Sequence, residues 1–205
     1  MDARTCLKKM QLVGVLNVAT VDENGAPQIR CISAVYYDVD SFYFFTAKGK
    51  NVTRELLSDG RVQILVCTKF KEMIRLSAKA YPVSEERQKD CIDTIFAEQP
   101  YLANLYPDEK RYIGIYFEIK NASIEYFNLG MNPIFRETYT IGNGNSTFKG
   151  YRITDKCIGC GKCRTVCPQN CIDKGEPKPY NIRQNNCLHC GACFENCPIG
   201  AIERL

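Results

Sequence analysis

The chain has 205 residues, of which 45% are apolar and 24% charged, and its formal net charge is +4. That length accommodates one domain of ordinary size and a smaller second one. No apolar run reaches the roughly 18 residues that cross a bilayer, and no block of Lys and Arg indicates nucleic-acid binding. We therefore expect neither a membrane nor a nucleic acid as a partner.

Cysteine usage bears on the cellular compartment. The chain contains 13 cysteines, and residues 1–20 lack the layout of a signal peptide because their apolar stretch is short and broken by Gly and Asn. We therefore expect a cytoplasmic protein, in which so many cysteines bind metal rather than form disulfides. Three of the 13, namely Cys31, Cys67 and Cys91, lie in apolar patterns and are expected to be buried.

The first two-thirds of the chain are predicted to consist mainly of short strands. Apolar patterns and turn signals such as Asn24-Gly25 predict strands at 14–21, 28–37, 42–46, 61–67, 73–83, 112–119 and 122–128. One helix is predicted at 51–58, and another begins after Ser84, with Glu85 and Glu86 in its first turn. Many short strands with few helices are typical of a small antiparallel barrel, although a sandwich fits the same pattern.

A stretch rich in Gly and Asn, at 140–150, separates this part from a cysteine-rich one and is predicted to be a linker. We accordingly predict domains at 1–139 and 151–205. The second domain is too short for an ordinary apolar core, so bound metal clusters are expected to stabilise it.

The C-terminal part carries an internal repeat of 30 residues, and each copy has the spacing C-x2-C-x2-C-x3-C-P. This run is typical of 4Fe–4S clusters. The first three thiolates of a run face one cube, and the fourth, after a further turn of the chain, reaches the neighbouring cube. We assign Cys157, Cys160, Cys163 and Cys197 to cluster one, and Cys187, Cys190, Cys193 and Cys167 to cluster two.

Structural zinc is the alternative ligand, but zinc prefers paired C-x2-C sets and a run of three cysteines suits it poorly. The segment resembles the two-cluster bacterial ferredoxins over its whole length, which implies a small α+β ferredoxin-type domain. Cys171 is not among the eight ligands, because the repeat has Ala201 at the matching position. His189, which matches Gly159, either donates a hydrogen bond to a cluster sulfur or is an incidental exposed side chain.

Cations and hydroxyls gather in the stretch 28–57. They are Arg30, Lys48, Lys50 and Arg54, with Ser33, Thr46 and Thr53. The predicted helix opens directly after the loop Lys48-Gly49-Lys50, and such groups around a helix N-terminus would bind a phosphate. From the spacing alone, solvated lysines on a loop are the alternative.

The chain from Leu12 to Phe127 resembles the pyridoxamine 5'-phosphate oxidase-like family of FMN-binding split barrels. The resemblance lies in "GVLNVATVDENGAPQIRCISAVYY", "FYFFTAKGKNVTRELLSDGRVQILV" and "IRLSAKA". It implies a six-stranded antiparallel split barrel that forms a homodimer and binds FMN in two grooves at the dimer interface.

The resemblance also implies which residues contact FMN. With Lys48 from the cation pattern, the candidates are Arg30, Lys50 and Asn51 at the phosphate, Ser33, Ala34 and Val35 along the isoalloxazine ring, and Phe45 and Thr46 in the same groove. The Arg-x-His with which that family binds pyridoxal phosphate has no counterpart, so pyridoxamine phosphate oxidation is not expected.

An FMN barrel joined to a ferredoxin-type pair of clusters predicts an oxidoreductase. Electrons would come from a ferredoxin or another redox protein and leave to a small organic acceptor, namely a nitro compound, a quinone or an enone. The alternatives are a non-catalytic electron carrier and a barrel that binds haem or a deazaflavin. No catalytic residue stands out, and the oxygen sensitivity of exposed clusters leads us to expect an anaerobic bacterium or archaeon as the host.

Overall fold

The computed structural model of the protein describes residues 1–38, 41–145, 149–176 and 179–205. The chain divides into two compact units that do not follow chain order. The first contains Met1–Lys69, Met73–Tyr126 and Tyr139–Ser146, and the second contains Phe70–Glu72, Phe127–Thr138 and Thr147–Leu205. The second unit thus includes a segment, Phe127–Thr138, that precedes the cysteine motifs by about 20 residues of chain.

The framework of the first two-thirds of the chain consists of two antiparallel sheets. The strands are β1 (Leu16–Val21), β2 (Pro27–Ile32), β3 (Val35–Tyr37), β4 (Phe42–Ala47), β5 (Arg61–Cys67), β6 (Glu72–Lys79), β7 (Tyr81–Pro82), β8 (Gly114–Ile119), β9 (Ala122–Asn128) and β10 (Phe135–Ile141). One sheet has the order β10-β9-β6-β5-β1-β2, and the other has the order β3-β4-β8-β7. This mainly antiparallel architecture confirms the predicted split barrel.

Helices lie between the strands. They are α1 (Ala3–Val13), α2 (Asn51–Ser58), α3 (Glu85–Glu98) and α4 (Leu102–Leu105), followed by a 3-10 helix at Asp108–Ile113. The predicted helix at 51–58 is α2, which buries Val52 and Leu56. Within the described part of the chain, no helix combines the length and the apolar character that crossing a membrane requires.

Strand β4 runs through the middle of the core and is buried at every position. Successive side chains of a strand point to opposite faces, so a strand that is buried throughout must be covered on both faces. Tyr43 and Phe45 pack in one cluster with Ile92 and Ile95 of α3. On the other face, Phe44 stacks on Phe117 of β8 with ring centroids 5.5 Å apart. The candidate flavin residues on β4 are therefore held from two sides.

Two long predicted strands are each divided in the structure. The predicted strand 28–37 becomes β2 and β3, with Ser33 and Ala34 between them, and the predicted strand 73–83 becomes β6 and β7. In both cases the chain leaves the six-stranded sheet and enters the four-stranded one. Local apolar patterning does not reveal such a change of partner, because the pattern along a strand does not specify which strand it pairs with.

The chain begins with a helix that sequence analysis missed. Asp2 caps α1 by accepting a hydrogen bond from the Thr5 N–H at 2.7 Å, and the helix ends at Gly14, whose φ of 76° favours glycine. Cys6 and Met10 are buried on the inner face of this helix. A strand was predicted from residue 14, whereas β1 begins at Leu16.

Strand β10 is a second element that was not predicted. It includes Thr140 and Ile141, which are the first two residues of the predicted linker, while residues 146–148 of that linker lie outside the described residues. The predicted division into domains at 1–139 and 151–205 stays a prediction.

The second unit repeats its backbone conformation as well as its cysteines. Its elements are β11 (Tyr151–Ile153), α5 (Lys162–Thr165), β12 (Ile172–Asp173), β13 (Asn181–Ile182), a 3-10 helix at Gln184–Asn186, α6 (Ala192–Glu195) and β14 (Ile202–Arg204). The one-turn helices α5 and α6 start after Gly161 and Gly191, with φ of 79° and 81°. β11 pairs with β14, and β12 pairs with β13.

Replacing Gly114 with alanine should destabilise the barrel. A Cβ at this position would lie 1.9 Å from Cε2 of Phe45, whose ring is itself packed against Phe96 and Tyr106. Overpacking of this kind costs about 1–3 kcal/mol of unfolding free energy, which urea unfolding can measure. Gly49→Ala is the matched control, because nothing lies within 4 Å of a Cβ there. Equal stability of the two variants would contradict the expectation.

Candidate cofactor sites

The cysteines of the second unit surround two cavities. Cys157, Cys160, Cys163 and Cys197 line one of them. Cys167, Cys187, Cys190 and Cys193 line the other, together with Cys171. Each cavity has about 330 Å³ of empty volume, part of it open to solvent. The structure therefore brings together the two crossed sets of four that the spacing suggests, and the ligand role of each cysteine stays a prediction.

Local backbone conformation directs the thiols into these cavities. Gly161 and Gly191 adopt the left-handed conformation, so the chain turns sharply between the second and third cysteines of each motif. Backbone N–H groups then point at sulfur: Gly159 N–H donates to Cys157 Sγ at 3.4 Å, and Ala201 N–H donates to Cys197 Sγ at 3.2 Å. These N–H groups lie where a metal-bound thiolate would accept their hydrogen bonds.

The arrangement fits cubane clusters better than a single ion. Among the described residues, no three Cys, His, Asp or Glu side chains are close enough together to hold one metal ion. A 4Fe–4S cube instead takes its four thiolates at separate corners. Four cysteines spread around an apolar cavity provide that donor set, with Ile153 and Ile202 beside the first cavity.

Cys171 is buried beside the second cavity. Its Sγ lies 3.6 Å from that of Cys167, and it also forms a hydrogen bond with Cys187. That hydrogen bond lowers the pKa of Cys187, whereas it raises the pKa of Cys171, which burial raises further. That Cys171 is not a cluster ligand stays a prediction, which rests on its match to Ala201 in the repeat.

His189 contacts a residue that sequence analysis did not single out. Its Nδ1 lies 2.9 Å from Nη1 of Arg136, on β10, within the second unit. The side chain is half-buried rather than exposed. The two residues are 53 positions apart, so no local pattern could have paired them.

The cations predicted to bind a phosphate lie at the start of α2. Lys48, Lys50 and Asn51 are exposed, and Lys50 is the N-cap residue without a side-chain capping bond. The uncapped N–H groups of the first helical turn attract anions. Arg54 donates to Asn51 Oδ1 at 2.7 Å, which brings a further cation to the same turn.

Arg30 has a partner that the sequence did not indicate. Its Nη2 lies 2.8 Å from Oε2 of Glu55, a nearly buried carboxylate on α2, and its Nη1 donates to Thr20. The pair joins β2 to α2. Arg30 is therefore held next to the helix whose start carries the exposed lysines.

The predicted ring-binding segment Ser33–Val35 connects β2 to β3 and is supported by the turn before α4. Ser33 Oγ lies 2.8 Å from the hydroxyl of Tyr101, and Gln99 Nε2 donates to the carbonyl of Val35 at 2.5 Å. Phe45 N–H donates to the carbonyl of Ala34 at 2.9 Å. Gln99 and Tyr101 were missed because they lie more than 60 residues along the chain from their partners.

Two cysteines expected to be buried are exposed. Cys31 lies on the outward side of β2, at the end of the sheet order, and Cys67 is the last residue of β5. Cys91, on α3, is half-buried. The expectation was wrong because the alternation of the strand turns these cysteines outward, while their neighbours Ile32 and Val66 are buried.

Two protein-family models match different parts of the chain. The family model described as pyridoxamine 5'-phosphate oxidase matches residues 6–116, which is more than half of the chain. The chain belongs to this family. A second model, described as a 4Fe–4S dicluster domain, matches residues 156–201 and includes all eight motif cysteines. The chain thus combines an FMN-binding-type split barrel with a C-terminal dicluster ferredoxin domain.

Curated relatives match each part separately. A pyridoxine/pyridoxamine 5'-phosphate oxidase of Bradyrhizobium sp. strain BTAi1 is 30% identical over 89 residues, which are 43% of this chain and 39% of that protein. Pyruvate synthase subunit PorD of Methanothermobacter marburgensis is 46% identical over 35 residues, which are 17% of this chain and 43% of that protein. The chain therefore spans about two-fifths of the length of these relatives.

Solved structures share the barrel fold. A NimC/NimA family protein from Clostridium acetobutylicum is 19% identical with a TM-score of 0.57, over 66% of this chain and 90% of that one. A pyridoxamine 5'-phosphate oxidase-related, FMN-binding protein from Nostoc punctiforme is 15% identical with a TM-score of 0.51, over 73% and 85%. A flavin-binding type of barrel together with two cluster sites indicates a redox or electron-transfer protein.

Proposed function

We propose that the protein is an FMN- and iron–sulfur-dependent oxidoreductase that reduces a small organic acceptor, namely a nitro compound, a quinone or an enone. The observation that supports this proposal is the presence, in one chain, of a barrel of a flavin-binding family and two cavities that are each lined by four cysteines. FMN accepts electrons singly or in pairs and a 4Fe–4S cluster passes them one at a time, so the two would couple a one-electron donor to a two-electron acceptor.

The chain offers a binding surface for the FMN phosphate. Lys48 and Lys50 would supply positive charge, and the uncapped start of α2 would supply N–H donors. Asn51 is the first residue of that helix, and Arg30 is held close to the helix by Glu55. The residues present thus fit a dianionic group.

The isoalloxazine ring would lie along the segment Ser33–Val35. The carbonyls of Ala34 and Val35 are occupied by Phe45 N–H and Gln99, so this backbone is held in place before a ligand binds. Phe45 and Thr46 are buried on the adjacent strand β4, where they would support the groove rather than move. A prearranged backbone lowers the entropic cost of binding.

A homodimer through the barrel and a ferredoxin-like redox protein as donor complete the proposal. Ile29 is exposed on β2, the terminal strand of the six-stranded sheet, and an exposed apolar residue on an edge strand suits a partner subunit. Pyridoxamine phosphate oxidation is not proposed, because the chain has no Arg-x-His to hold pyridoxal phosphate.

Anaerobic purification with quantitation of iron, sulfide and released flavin tests the cofactor set. We expect about eight irons per chain and about one FMN. Iron without flavin would overturn the proposal. Turnover of a panel of nitro compounds, quinones and enones, with reduced ferredoxin or dithionite, then separates an enzyme from a carrier. An electron carrier would show fast reduction and slow, unselective reoxidation.

Lys50→Ala should weaken FMN binding about 10- to 100-fold, because a hydrogen bond to a charged group contributes roughly 1.5–3 kcal/mol. Quenching of flavin fluorescence during titration of the flavin-free protein measures the affinity. Lys8→Ala, which removes an exposed lysine on α1, is the matched control and should bind FMN like the unaltered protein. Unchanged affinity in Lys50→Ala would contradict the proposal that the FMN phosphate binds at the start of α2.

A further inference from the structure

The two cysteine loops differ at one backbone position. The residue two places after the first cysteine is Gly159 in the first loop and His189 in the second, with φ of 73° and 56°. Its N–H donates to the preceding thiol at 3.4 Å in both loops. Positive φ is unfavourable for a residue with a Cβ. Glycine meets this requirement without strain, whereas histidine needs compensating contacts.

Arg136 provides such a contact. Its guanidinium lies 2.9 Å from His189 Nδ1, and because a guanidinium only donates, Nδ1 is the acceptor. The guanidinium carbon also lies 4.3 Å from the centre of the Phe127 ring, which restricts its position. On the other side of the first cysteine of the loop, Asn186 Nδ2 donates to the carbonyl of Ile134 at 2.8 Å. The segment Phe127–Thr138 therefore holds the second cysteine loop at two points.

The charges around the two motifs are also unequal. The first motif contains Lys162 and Arg164 between its first and fourth cysteines, with Lys156 directly before them. The second motif has no Lys or Arg between Cys187 and Cys197, and contains Glu195. Arg136 thus brings a cation from a distant part of the chain to a loop whose own sequence lacks one.

We infer that Arg136 is a positioning residue for cluster two, holding His189 and placing a permanent positive charge beside the loop of Cys187. A reduced cluster carries one more negative charge than an oxidised one, so a nearby fixed cation makes uptake of the electron more favourable. The charge is half-buried, and solvent and salt screen it less than they screen an exposed lysine. The inference rests on the proposed cluster two and is independent of the flavin and the acceptor.

Reduction potentials of the full-length holoprotein test this inference. In Arg136→Gln, the equilibrium constant for reduction of one of the two clusters should fall about tenfold, which is a drop of about 59 mV for a one-electron couple. The reduction potential of the other cluster should not change. Dithionite supplies the electron in an anaerobic titration monitored by electron paramagnetic resonance. Arg136→Lys keeps the positive charge, so its two reduction potentials should stay close to those of the unaltered protein.

Lys174→Gln is the matched control for net charge, because Lys174 is exposed and paired with Glu176 in the same unit. It should leave both potentials unchanged. His189→Gly places in the second loop the residue that the first loop has, so full iron content is expected. Without His189, Arg136 becomes mobile. The reduction potential of the same cluster should therefore fall by less than in Arg136→Gln.

Unchanged potentials in Arg136→Gln with full iron content would overturn the inference, and so would an equal shift of both signals. Should Arg136→Gln lose its iron, His189→Gly decides: a fall of one signal supports the inference, and unchanged potentials overturn it. Absence of iron from the unaltered protein would instead contradict the proposed cluster sites. Failure of the inference and failure of the proposed function are therefore distinguishable.

Discussion

Cys163→Ala should halve the iron content of the protein, from about eight to about four atoms per chain, because each cube takes four cysteines. Cys163 lines the first cavity with three other cysteines and is buried in the core of the second unit. That core is small and consists largely of isoleucines and cysteines, so loss of a cluster removes both ligands and packing. We also expect the C-terminal part to become sensitive to limited proteolysis.

Each cavity is lined by three cysteines of one motif and the fourth cysteine of the other, which makes the experiment more specific. Cys197→Ala should remove the same cluster as Cys163→Ala, although the two residues belong to different motifs, whereas Cys167→Ala should remove the other. Iron analysis and electron paramagnetic resonance of the reduced protein report which cluster remains. Cys171→Ala is the control: this residue is not predicted to be a ligand, and its counterpart in the repeat is Ala201. Full iron in Cys163→Ala, or half the iron in Cys171→Ala, would contradict the ligand assignment.

Arg30→Met should destabilise the barrel strongly. The Glu55 side chain is only 7% exposed and lies 2.8 Å from the guanidinium of Arg30. Removing the arginine leaves a buried carboxylate without its cation, which costs about 3–5 kcal/mol of unfolding free energy. Urea unfolding of the flavin-free protein, followed by circular dichroism, measures the loss without a contribution from FMN.

A double variant separates the lost charge pair from lost packing. Arg30→Met combined with Glu55→Met removes both charges and keeps apolar volume, so most of the stability should return. Arg61→Met is the matched control, because Arg61 is exposed and its partner Asp59 is half-buried at the surface, so the free energy of unfolding should stay nearly unchanged. A double variant as unstable as Arg30→Met would show that the buried charge is not the cause.

The sequence predicted the class of fold and several elements closely. Helix α2 and strands β5 and β9 begin and end where the apolar pattern places them. These elements have one buried face and one more accessible face, so their periodicity is visible in the residues themselves. The sandwich alternative was removed only by the sheet order, because alternation along a strand does not specify its neighbours.

The elements that were missed depend on contacts between distant residues. β10 lies at the edge of the six-stranded sheet and alternates only weakly between buried and exposed positions. The break between β2 and β3 follows from pairing with two different sheets. The candidate flavin segment Ser33–Val35 was predicted by resemblance, while its supports Gln99 and Tyr101 emerged only from the folded chain.

The sequence by itself determined the chemical class of the C-terminal sites. Three of the four predicted ligands of each cluster lie within a few residues of each other, so their spacing and the glycines between them are enough to indicate iron–sulfur chemistry. Only the tertiary structure decided which distant side chains meet: Arg30 with Glu55, Tyr101 with Ser33, and Arg136 with His189. These pairs are 25 to 68 residues apart, and their energies arise from burial and geometry that exist only once the whole chain has folded.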